Sequence, residues 1–346
     1  MENNSQKLYQ LGFFCILCFL AACGDSEKRE RDSFFVKGNV KLNEGEHMEA
    51  IRYYNEAINK DSAFADAYNN RGIAYYEEGK YGQAVLDYTE AIRHRDKYAD
   101  AFYNRANAYY QLGDFDKSLE DLDSVAQYYP DSAYVYFTRG LALSESGKYI
   151  EAIEAMGQAI ALDSTNAEAF VNRGTVYYYQ QDYKNAQSDI AKAIALDEKE
   201  ANAYNVKGLV LTEQGALKEA LQAFNNALEL SPYQPYFLNN RGYLYLQMDS
   251  LLLARTDINQ SIKLDSRNAY AYRNKGLYYQ KNGQPQEALR ALKQSIRLNE
   301  RTDKVHYYLA LVYLDLNQKK EACRYLQQAQ SNKVQEAAEL LQEVCL

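Results

Sequence analysis

Residues 65–98 read ADAYNNRGIAYYEEGKYGQAVLDYTEAIRHRDKY, and residues 99–132 repeat the layout as ADAFYNRANAYYQLGDFDKSLEDLDSVAQYYPDS. The match extends in both directions at a constant spacing of 34 residues. One small residue marks each of nine copies: Gly38, Gly72, Ala106, Gly140, Gly174, Gly208, Gly242, Gly276 and Ala310. A unit of this length cannot bury its apolar face alone, so the copies are expected to stack into a solenoid. A stack offers a long surface instead of one closed pocket, which favours binding another protein over catalysis.

Each copy contains two apolar faces with helical spacing. When residues 31, 65, 99 and so on are numbered as position 1, positions 4, 8 and 11 form one face and positions 20, 24 and 27 form another. A glycine near position 15, such as Gly79, separates the faces and predicts the end of the first helix. The repeat is therefore predicted to be a pair of antiparallel helices in which small residues face large ones.

This pattern resembles the tetratricopeptide repeat over about nine-tenths of the sequence. Two features depart from the family pattern: no copy has Trp at position 4, and only Pro130 and Pro232 occupy the usual terminal proline position. The resemblance implies an all-α, right-handed superhelical α-solenoid in which the first helices line an inner groove. Residues 31–336 would form nine repeats, and a helix over residues 335–346 would cap the last one.

The first 22 residues have the features of an export signal. The apolar run from Leu11 to Ala22 is too short to span a bilayer but has the length of a signal-peptide core, and Cys23 follows it. The Leu-Ala-Ala-Cys ending resembles the lipobox of bacterial lipoproteins. The resemblance implies removal of residues 1–22 and acylation of Cys23, with palmitate among the expected chains.

Residues 23–30 would then be a polar tether that holds the repeats at a membrane. Gly24 stands where an inner-membrane retention signal would have Asp, so the outer membrane of a bacterial cell envelope is the expected location. The alternative is an uncleaved leader in which Cys23 has no role.

Composition argues against several classes of function. The net charge is −8, and no block of Lys or Arg provides the basic surface that nucleic-acid binding needs. The sequence has no phosphate-binding glycine loop and no nucleophile elbow. Its three histidines, His47, His94 and His306, have no neighbouring Cys or second His. We therefore expect a non-enzymatic protein with no cofactor and no metal site.

Two cysteines near the end of the chain are candidates for a disulfide. Cys323 falls on the second helix of the ninth repeat, and Cys345 falls at the end of the predicted capping helix. Antiparallel packing of these helices would bring the two side chains together, and an exported protein meets an oxidising compartment. Two unpaired thiols are the alternative.

Basic residues recur at position 7, where five copies have Arg: Arg71, Arg105, Arg139, Arg173 and Arg241. Four of these copies also have Asp at position 23, namely Asp87, Asp121, Asp189 and Asp257, whereas Ala155 stands there in the copy with Arg139. Copies with Lys or Leu at position 7 have no acid at position 23. We therefore expect bidentate Arg–Asp pairs that join the two helices of one repeat, instead of a ladder for an anionic ligand.

Position 6 supplies the candidate binding residues: Asn70, Asn104, Asn172, Asn240 and Asn274. In superhelical tetratricopeptide proteins, a similar row of Asn on the inner face holds the backbone of an extended peptide. A carboxamide suits this role because it offers both a donor and an acceptor. Neighbouring inner positions hold Asn107, Tyr110 and Tyr178. The alternative is that these Asn side chains are solvated and bind no ligand.

Together these patterns predict a lipid-anchored, non-enzymatic scaffold that binds a segment of a partner protein in its concave groove during assembly of a cell-envelope complex. The alternative is a periplasmic chaperone or pilotin for exported clients. A carbohydrate-binding role rests only on the 34 tyrosines.

Overall fold

The computed structural model describes residues 26–345. Across this range the chain has nineteen helices and no strand, which confirms the all-α repeat solenoid. Helix α1 covers residues 26–43. The others are α2 His47–Lys60, α3 Ala65–Glu77, α4 Tyr81–His94, α5 Ala99–Leu112, α6 Phe115–Tyr128, α7 Ala133–Glu145, α8 Tyr149–Leu162, α9 Ala167–Tyr179, α10 Tyr183–Leu196, α11 Ala201–Glu213, α12 Leu217–Leu230, α13 Pro235–Gln247, α14 Leu251–Leu264, α15 Ala269–Lys281, α16 Pro285–Leu298, α17 Val305–Asp315, α18 Lys319–Ser331 and α19 Gln335–Cys345.

The helices divide into two compact units between Ser164 and Thr165. Unit 1 contains α1 to α8, and unit 2 contains α9 to α19. Odd-numbered helices up to α17 are the first helices of the repeats, and each packs against the even-numbered second helix that follows it. Within each unit, successive first helices such as α3 and α5 also contact each other, whereas successive second helices of the described chain lie farther apart. The row of first helices is therefore the inner side of each unit.

The turn between the two helices of a repeat needs a left-handed residue at position 15. Gly113 adopts φ 77° at this place, and five other copies also use Gly here. The three copies without Gly adopt the same conformation with Gln181, Asp249 and Asn317, at φ values of 60°, 52° and 56°. The predicted end of the first helix is thus confirmed even where the glycine signal is missing.

The two ends of the array differ from the predicted boundaries in one respect. Residues 26–30 were assigned to the polar tether, but they are helical and continuous with the rest of α1. Lys60 Nζ donates a 2.5 Å hydrogen bond to Glu30 Oε2, which holds this turn against α2. Residues 26–30 of the predicted tether are therefore part of the first helix. The leader over residues 1–22 and the acylation candidate Cys23 lie outside the described residues.

At the other end, helix α19 takes the place of the predicted cap. It buries Ala337 against Ala310 and Leu326 of the ninth repeat. Cys345 at its end is joined to Cys323 on α18 by a disulfide with a Cα–Cα distance of 5.8 Å. The last repeat is therefore covered by an apolar contact and by a covalent link.

One close contact sets the distance between the two helices of a repeat. Gly72 on α3 lies against the ring of Tyr88 on α4, and a Cβ atom built on Gly72 would fall 2.6 Å from Tyr88 Cε1. Gly208 meets Phe224 in the same way at 2.6 Å. The large side chain at position 24 is fully buried in both repeats. The helices approach this closely because position 8 has no side chain that would hold them apart.

We expect Gly72→Ala to lower the free energy of unfolding by about 1–3 kcal/mol, because the added methyl would overlap a ring that has no room to move. Urea denaturation followed by circular dichroism measures this. Gly82→Ala is the matched control, since Gly82 also lies on a helix of the second repeat but has nothing within 4 Å of its added Cβ. The control should leave stability unchanged or slightly raised. Equal losses in both variants would contradict the close-contact argument.

Candidate protein-binding surface

The inner side of each unit is built from first helices, and two of their faces are occupied by packing. Positions 4, 8 and 11 contact the second helix of the same repeat, and position 7 also turns toward it. Positions 5, 6, 9 and 12 lie on the remaining part of the first helices, where position 12 also packs against the start of the second helix of its own repeat. We call the side chains at these four positions, within each unit, the first-helix surface.

The Arg row at position 7 is structural, as the sequence predicted. Arg105 donates from Nε and Nη2 to the two carboxylate oxygens of Asp121, each at 2.8 Å. Asp121 retains only 7% of its side-chain exposure and Arg105 17%. The same bidentate geometry joins Arg71 to Asp87, Arg173 to Asp189 and Arg241 to Asp257. The Nε–Nη2 edge of each of these arginines is therefore occupied within its own repeat.

The same row also links neighbouring repeats, which the sequence did not predict. Arg139, which has no Asp at position 23, forms an ion pair with Asp123 at position 25 of the preceding repeat. Arg71 and Arg105 direct Nη1 to that same position, where they meet Asn55 and Thr89. One guanidinium therefore joins three helices in a typical repeat.

Replacing a buried Asp that pairs with an Arg of this row should lower the free energy of unfolding far more than replacing an exposed one. Asp121→Ala would leave the Arg105 guanidinium unpaired and largely buried, so we expect a loss of about 3 kcal/mol in the free energy of unfolding. Thermal unfolding and urea denaturation measure the change.

Asp123→Ala is the control, because Asp123 lies two residues away on the same helix and pairs with Arg139 at 55% side-chain exposure. This substitution should lower the free energy of unfolding by less than about 1 kcal/mol. If Asp121→Ala instead weakened partner binding at unchanged stability, the structural role of the row would be refuted.

The Asn row at position 6 connects consecutive first helices. Asn104 Nδ2 donates to Asn69 Oδ1 at 3.0 Å, and Asn69 occupies position 5 of the preceding repeat. Asn240 meets Asn205 at 3.0 Å with the same offset of 35 residues. Where position 5 is Tyr103, position 6 of the next repeat is Thr138, and their hydroxyl groups are 3.0 Å apart. The two positions thus form matched pairs at these three junctions.

Asn274 corrects one predicted binding residue. Its side chain is fully buried, and Nδ2 donates to Asn239 Oδ1 at 2.8 Å. Its Oδ1 accepts from Nε and Nη2 of Arg273 at 3.0 and 2.9 Å. The prediction that Asn274 faces a bound peptide is therefore wrong, because every hydrogen-bonding direction of the amide is directed into the protein.

The other predicted Asn residues keep part of their surface. Asn70 donates to Asn39 Oδ1 at 2.9 Å and accepts from Asn69 Nδ2 at 3.1 Å. Asn172 donates to the carbonyl oxygen of Glu168 on its own helix. Asn104 uses only its donor within the protein, so its oxygen is available to a partner.

Tyrosine rings form the rest of the surface in unit 1. The Tyr103 ring lies 5.2 Å from that of Tyr134, which is 60% exposed. Burial raises the pKa of Tyr103, while the nearby Thr138 and Asn107 side chains act in the opposite direction. Asn107 is thereby placed next to Tyr103, on the surface where the sequence predicted it.

The predicted residue Tyr110 lies one helical turn farther along α5. Its ring is 5.7 Å from Phe115, and it is half-buried. Burial raises the pKa of Tyr110, and the negative charge of Glu145 on the next first helix adds to the shift. Tyr76 occupies the equivalent position on α3 and packs edge-on against Tyr81 at 5.1 Å.

Unit 2 has a similar aromatic surface that includes one buried cation. Tyr178 lies 6.2 Å from Tyr183, and its pKa is raised by burial and by Glu213. The guanidinium of Arg273 lies 5.3 Å from the ring centroids of both Tyr243 and Tyr270. Because Arg273 also bonds to Asn274 and to the backbone oxygen of Asp303, it supports the surface from beneath.

Within residues 26–345 the structure groups no three His, Cys, Asp or Glu side chains in a way that could hold a metal ion. In the same range, no helix combines the length and apolar character that crossing a bilayer requires.

A cavity of about 260 Å³ lies beside the ninth repeat and is lined by Lys304, His306 and Asn332 among others. Lys304 Nζ is 2.5 Å from Glu336 Oε1, and Asn332 Nδ2 is 3.4 Å from His306 Nδ1.

Family models identify the repeats independently of the structure. Three models of the tetratricopeptide repeat match residues 38–79, 74–113 and 140–181, residues 99–132, and residues 171–235. Together they cover more than half of the chain. The chain belongs to the tetratricopeptide-repeat family. A further model, described as anaphase-promoting complex, cyclosome, subunit 3, matches residues 250–329. Tetratricopeptide-repeat proteins are typically scaffolds that bind other proteins, and this is the general role that family membership gives to the chain.

Solved structures of other tetratricopeptide-repeat proteins share the fold. A chain of the APC/C heterotetramer Cut9–Hcn1 is 16% identical with a TM-score of 0.63, and the match covers 91% of this chain and 76% of that chain. PilF of Pseudomonas aeruginosa is 17% identical with a TM-score of 0.52, and the match covers 60% of this chain and 95% of that chain. No curated protein matches the sequence significantly. At these identities the neighbours show the fold alone.

Sequence comparison within single repeats missed the pairings between repeats. Position 5 pairs with position 6 of the next repeat, and position 12 approaches position 13 of the next repeat. Glu145, Glu213 and Arg273 were overlooked for this reason. An offset of 35 residues relates Asn69 to Asn104 and Asn239 to Asn274. The same offset relates Tyr110 to Glu145 and Tyr178 to Glu213, so a comparison of the copies at this offset indicates which residues of neighbouring repeats face each other.

Proposed function

We propose that this tetratricopeptide-repeat protein is a lipid-anchored, non-enzymatic scaffold of a bacterial cell envelope. It binds an extended segment of a partner protein on its first-helix surface. The observation that carries the proposal is the surface itself, where half-buried tyrosine rings alternate with carboxamides along successive first helices. Large rings with polar ends are well suited to protein recognition because they contribute apolar contact area and hydrogen bonds together.

The polar atoms and tyrosine rings that remain accessible on the first-helix surface suit a polypeptide better than a small molecule. Asn104 offers a free oxygen, while Tyr134 and Tyr110 present ring faces at the same side of unit 1. An extended backbone has donors and acceptors at regular spacing and can contact several first helices in turn.

The anchor rests on the sequence around Cys23. The apolar run before it, the Ala-Ala-Cys ending and the polar residues after it support cleavage and acylation. Because α1 is already helical at residue 26, only a few residues separate a lipid on Cys23 from the first repeat. The array would therefore be held close to the membrane surface, at the outer membrane if the retention rule applies.

The anchor is tested by metabolic labelling with palmitate in a bacterial host. We expect the wild-type chain to incorporate label and to sediment with the membranes, and Cys23→Ser to lose both properties. Cys323→Ser is the control, because it removes a cysteine that lies in the disulfide with Cys345 and is no candidate for acylation, so this variant should retain the label. Labelling that persists in Cys23→Ser would reject the anchor at this residue.

The binding surface is tested by photo-crosslinking in intact cells, with a benzophenone side chain in place of Tyr110 or Tyr178. We expect both positions to yield an adduct with the same partner. A third position, Leu86, lies on second helix α4 at 68% exposure and should give no adduct. A scaffold gives one dominant adduct, whereas a chaperone gives many. Adducts from Leu86 alone would move the binding site away from the first helices.

A further inference from the structure

Positive charge is concentrated in one part of unit 2. Residues 255–333 contain 15 Lys or Arg and 7 Asp or Glu, although the whole chain has a net charge of −8. Second helices of consecutive repeats run in the same direction, so the ends of α14, α16 and α18 lie along one edge of the unit. Five exposed cations lie at these ends or in the turns that follow, and we call them the basic edge: Lys263, Arg267, Arg297, Arg301 and Lys333.

A recurring turn presents two of these cations in the same way. Asp265 Oδ1 accepts a 2.9 Å hydrogen bond from the backbone N–H of Arg267. In the next repeat, Asn299 Oδ1 accepts a 2.9 Å hydrogen bond from the backbone N–H of Arg301. An Asp or Asn side chain that binds the amide two residues later fixes the backbone of a turn. The two arginines therefore occupy equivalent places in consecutive repeats.

The basic edge has no internal partner for its charge. None of its five cations forms an ion pair within the described part of the chain, where the ion pairs of this region join other cations. Cations at the ends of second helices in unit 1 are paired instead: Lys60 Nζ lies 2.5 Å from Glu30 Oε2, and Arg95 Nη2 lies 2.7 Å from Asp66 Oδ2. The dipole of a helix favours a cation near its last turn but leaves the side-chain donors unused. These donors are available to a ligand.

The cavity beside the ninth repeat lies at one end of the basic edge, because Arg301 is among the residues that line it. His306, which also lines it, is only 6% exposed. Asn332 Nδ2, a donor, lies 3.4 Å from His306 Nδ1, so Nδ1 accepts and the ring proton is on Nε2. Burial lowers the pKa of His306 and thereby favours this neutral ring. In the described chain, Nε2 has no hydrogen-bond partner.

The other charged residues that line the cavity are already paired. Lys304 Nζ is 2.5 Å from Glu336 Oε1, and Asp303 Oδ2 is 3.6 Å from Arg273 Nη1. Arg301 is therefore the charged side chain of the lining that has no ion-pair partner among the described residues. A guanidinium and an imidazole N–H that lack partners, in one cavity, are suited to an anion.

We propose that unit 2 binds an acidic segment of a protein along the basic edge, and that one carboxylate of this segment enters the cavity beside Arg301 and His306. A guanidinium binds a carboxylate through two parallel hydrogen bonds. The other cations of the edge would meet further acids of the same segment, as an extended chain passes from one repeat to the next. This site is separate from the first-helix surface, and it goes beyond the proposed function without depending on it.

The proposal is tested by fluorescence anisotropy with the full chain and three labelled peptides of equal length, built from repeated Gly-Ser-Glu, Gly-Ser-Gln or Gly-Ser-Lys units. We expect the Glu peptide to bind at least about tenfold more tightly than the Gln peptide, and its affinity to fall as salt is raised. The test is stringent because the net charge of −8 repels an acidic peptide, so its binding requires a local basic site.

Variants then locate the interaction. Arg301→Gln should weaken binding of the Glu peptide by about threefold to tenfold, and the double variant Arg267→Gln with Arg301→Gln by more. Lys97→Gln is the control, because Lys97 is an exposed cation at the same repeat position in unit 1, and it should have no effect.

The role of the cavity is tested by His306→Phe. Position 4 has Phe or Tyr in most other repeats, so this variant should keep its stability in urea while it loses the Nε2–H donor. We expect a loss of about threefold in affinity for the Glu peptide. Unchanged affinity would show that no carboxylate enters the cavity beside His306.

Two further results would overturn the proposal. One is a Glu peptide that binds no more tightly than the Gln peptide, and the other is an equal loss of affinity in Arg301→Gln and Lys97→Gln. If the Glu peptide does not bind and phosphatidylglycerol vesicles instead retain the Cys23→Ser chain in a manner that requires Arg301, the basic edge binds lipid head groups and the proposal is wrong. Photo-crosslinks at Tyr110 and Tyr178 involve none of these residues, so the proposed function stands or fails separately.

Discussion

The small residue at position 8 governs how closely the two helices of a repeat approach each other. Gly72 and Gly208 allow a ring at position 24 to lie directly on the backbone of the first helix, at a distance that a Cβ atom would forbid. A small residue recurs at this position with a period of 34 residues, so the same close packing of the two helices is available to each repeat. Within each unit, this regular packing brings positions 5 and 6 of consecutive repeats together at several junctions.

Two sets of polar contacts fix the register in which these closely packed helices lie against one another. The bidentate Arg105–Asp121 pair fixes the rotation of one helix against its partner, and Arg139 reaches the preceding repeat when its own repeat offers no acid. The amides of Asn69 and Asn104 align consecutive first helices on the opposite side. Each such bond contributes about 1 kcal/mol at most to net stability, but a shifted register would leave several of them buried and unpaired. Their main effect is therefore to exclude alternative stackings.

The parts of this structure that lie within one repeat could be predicted from sequence, because nine copies provide an internal alignment. The helix pairs, the turn at position 15 and the Arg–Asp pairs all fall in that class. Contacts between repeats could not be predicted from one copy at a time. Asn274 looked like the other members of its row, yet Arg273 beside it and Asn239 before it enclose its amide.

Residues 26–30 are polar but continue helix α1, and Glu30 among them pairs with Lys60 of α2. The residues of the candidate binding surface differ in how far the sequence alone could place them. Tyr110, Tyr178 and Asn107 could be placed on the inner side from helical spacing alone. The glutamates that accompany the tyrosines come from the next repeat, so only a three-dimensional arrangement or an offset comparison reveals them.

The disulfide between Cys323 and Cys345 makes the two ends of the stack mechanically unequal. In a solenoid each repeat is held only by its neighbours, so terminal repeats detach first. At the carboxyl end α19 is covalently joined to α18, whereas among the described residues α1 has no such link, and its Val36 and Val40 are 58% and 50% exposed. A pulling force therefore cannot draw α19 away from α18 unless the disulfide is reduced first.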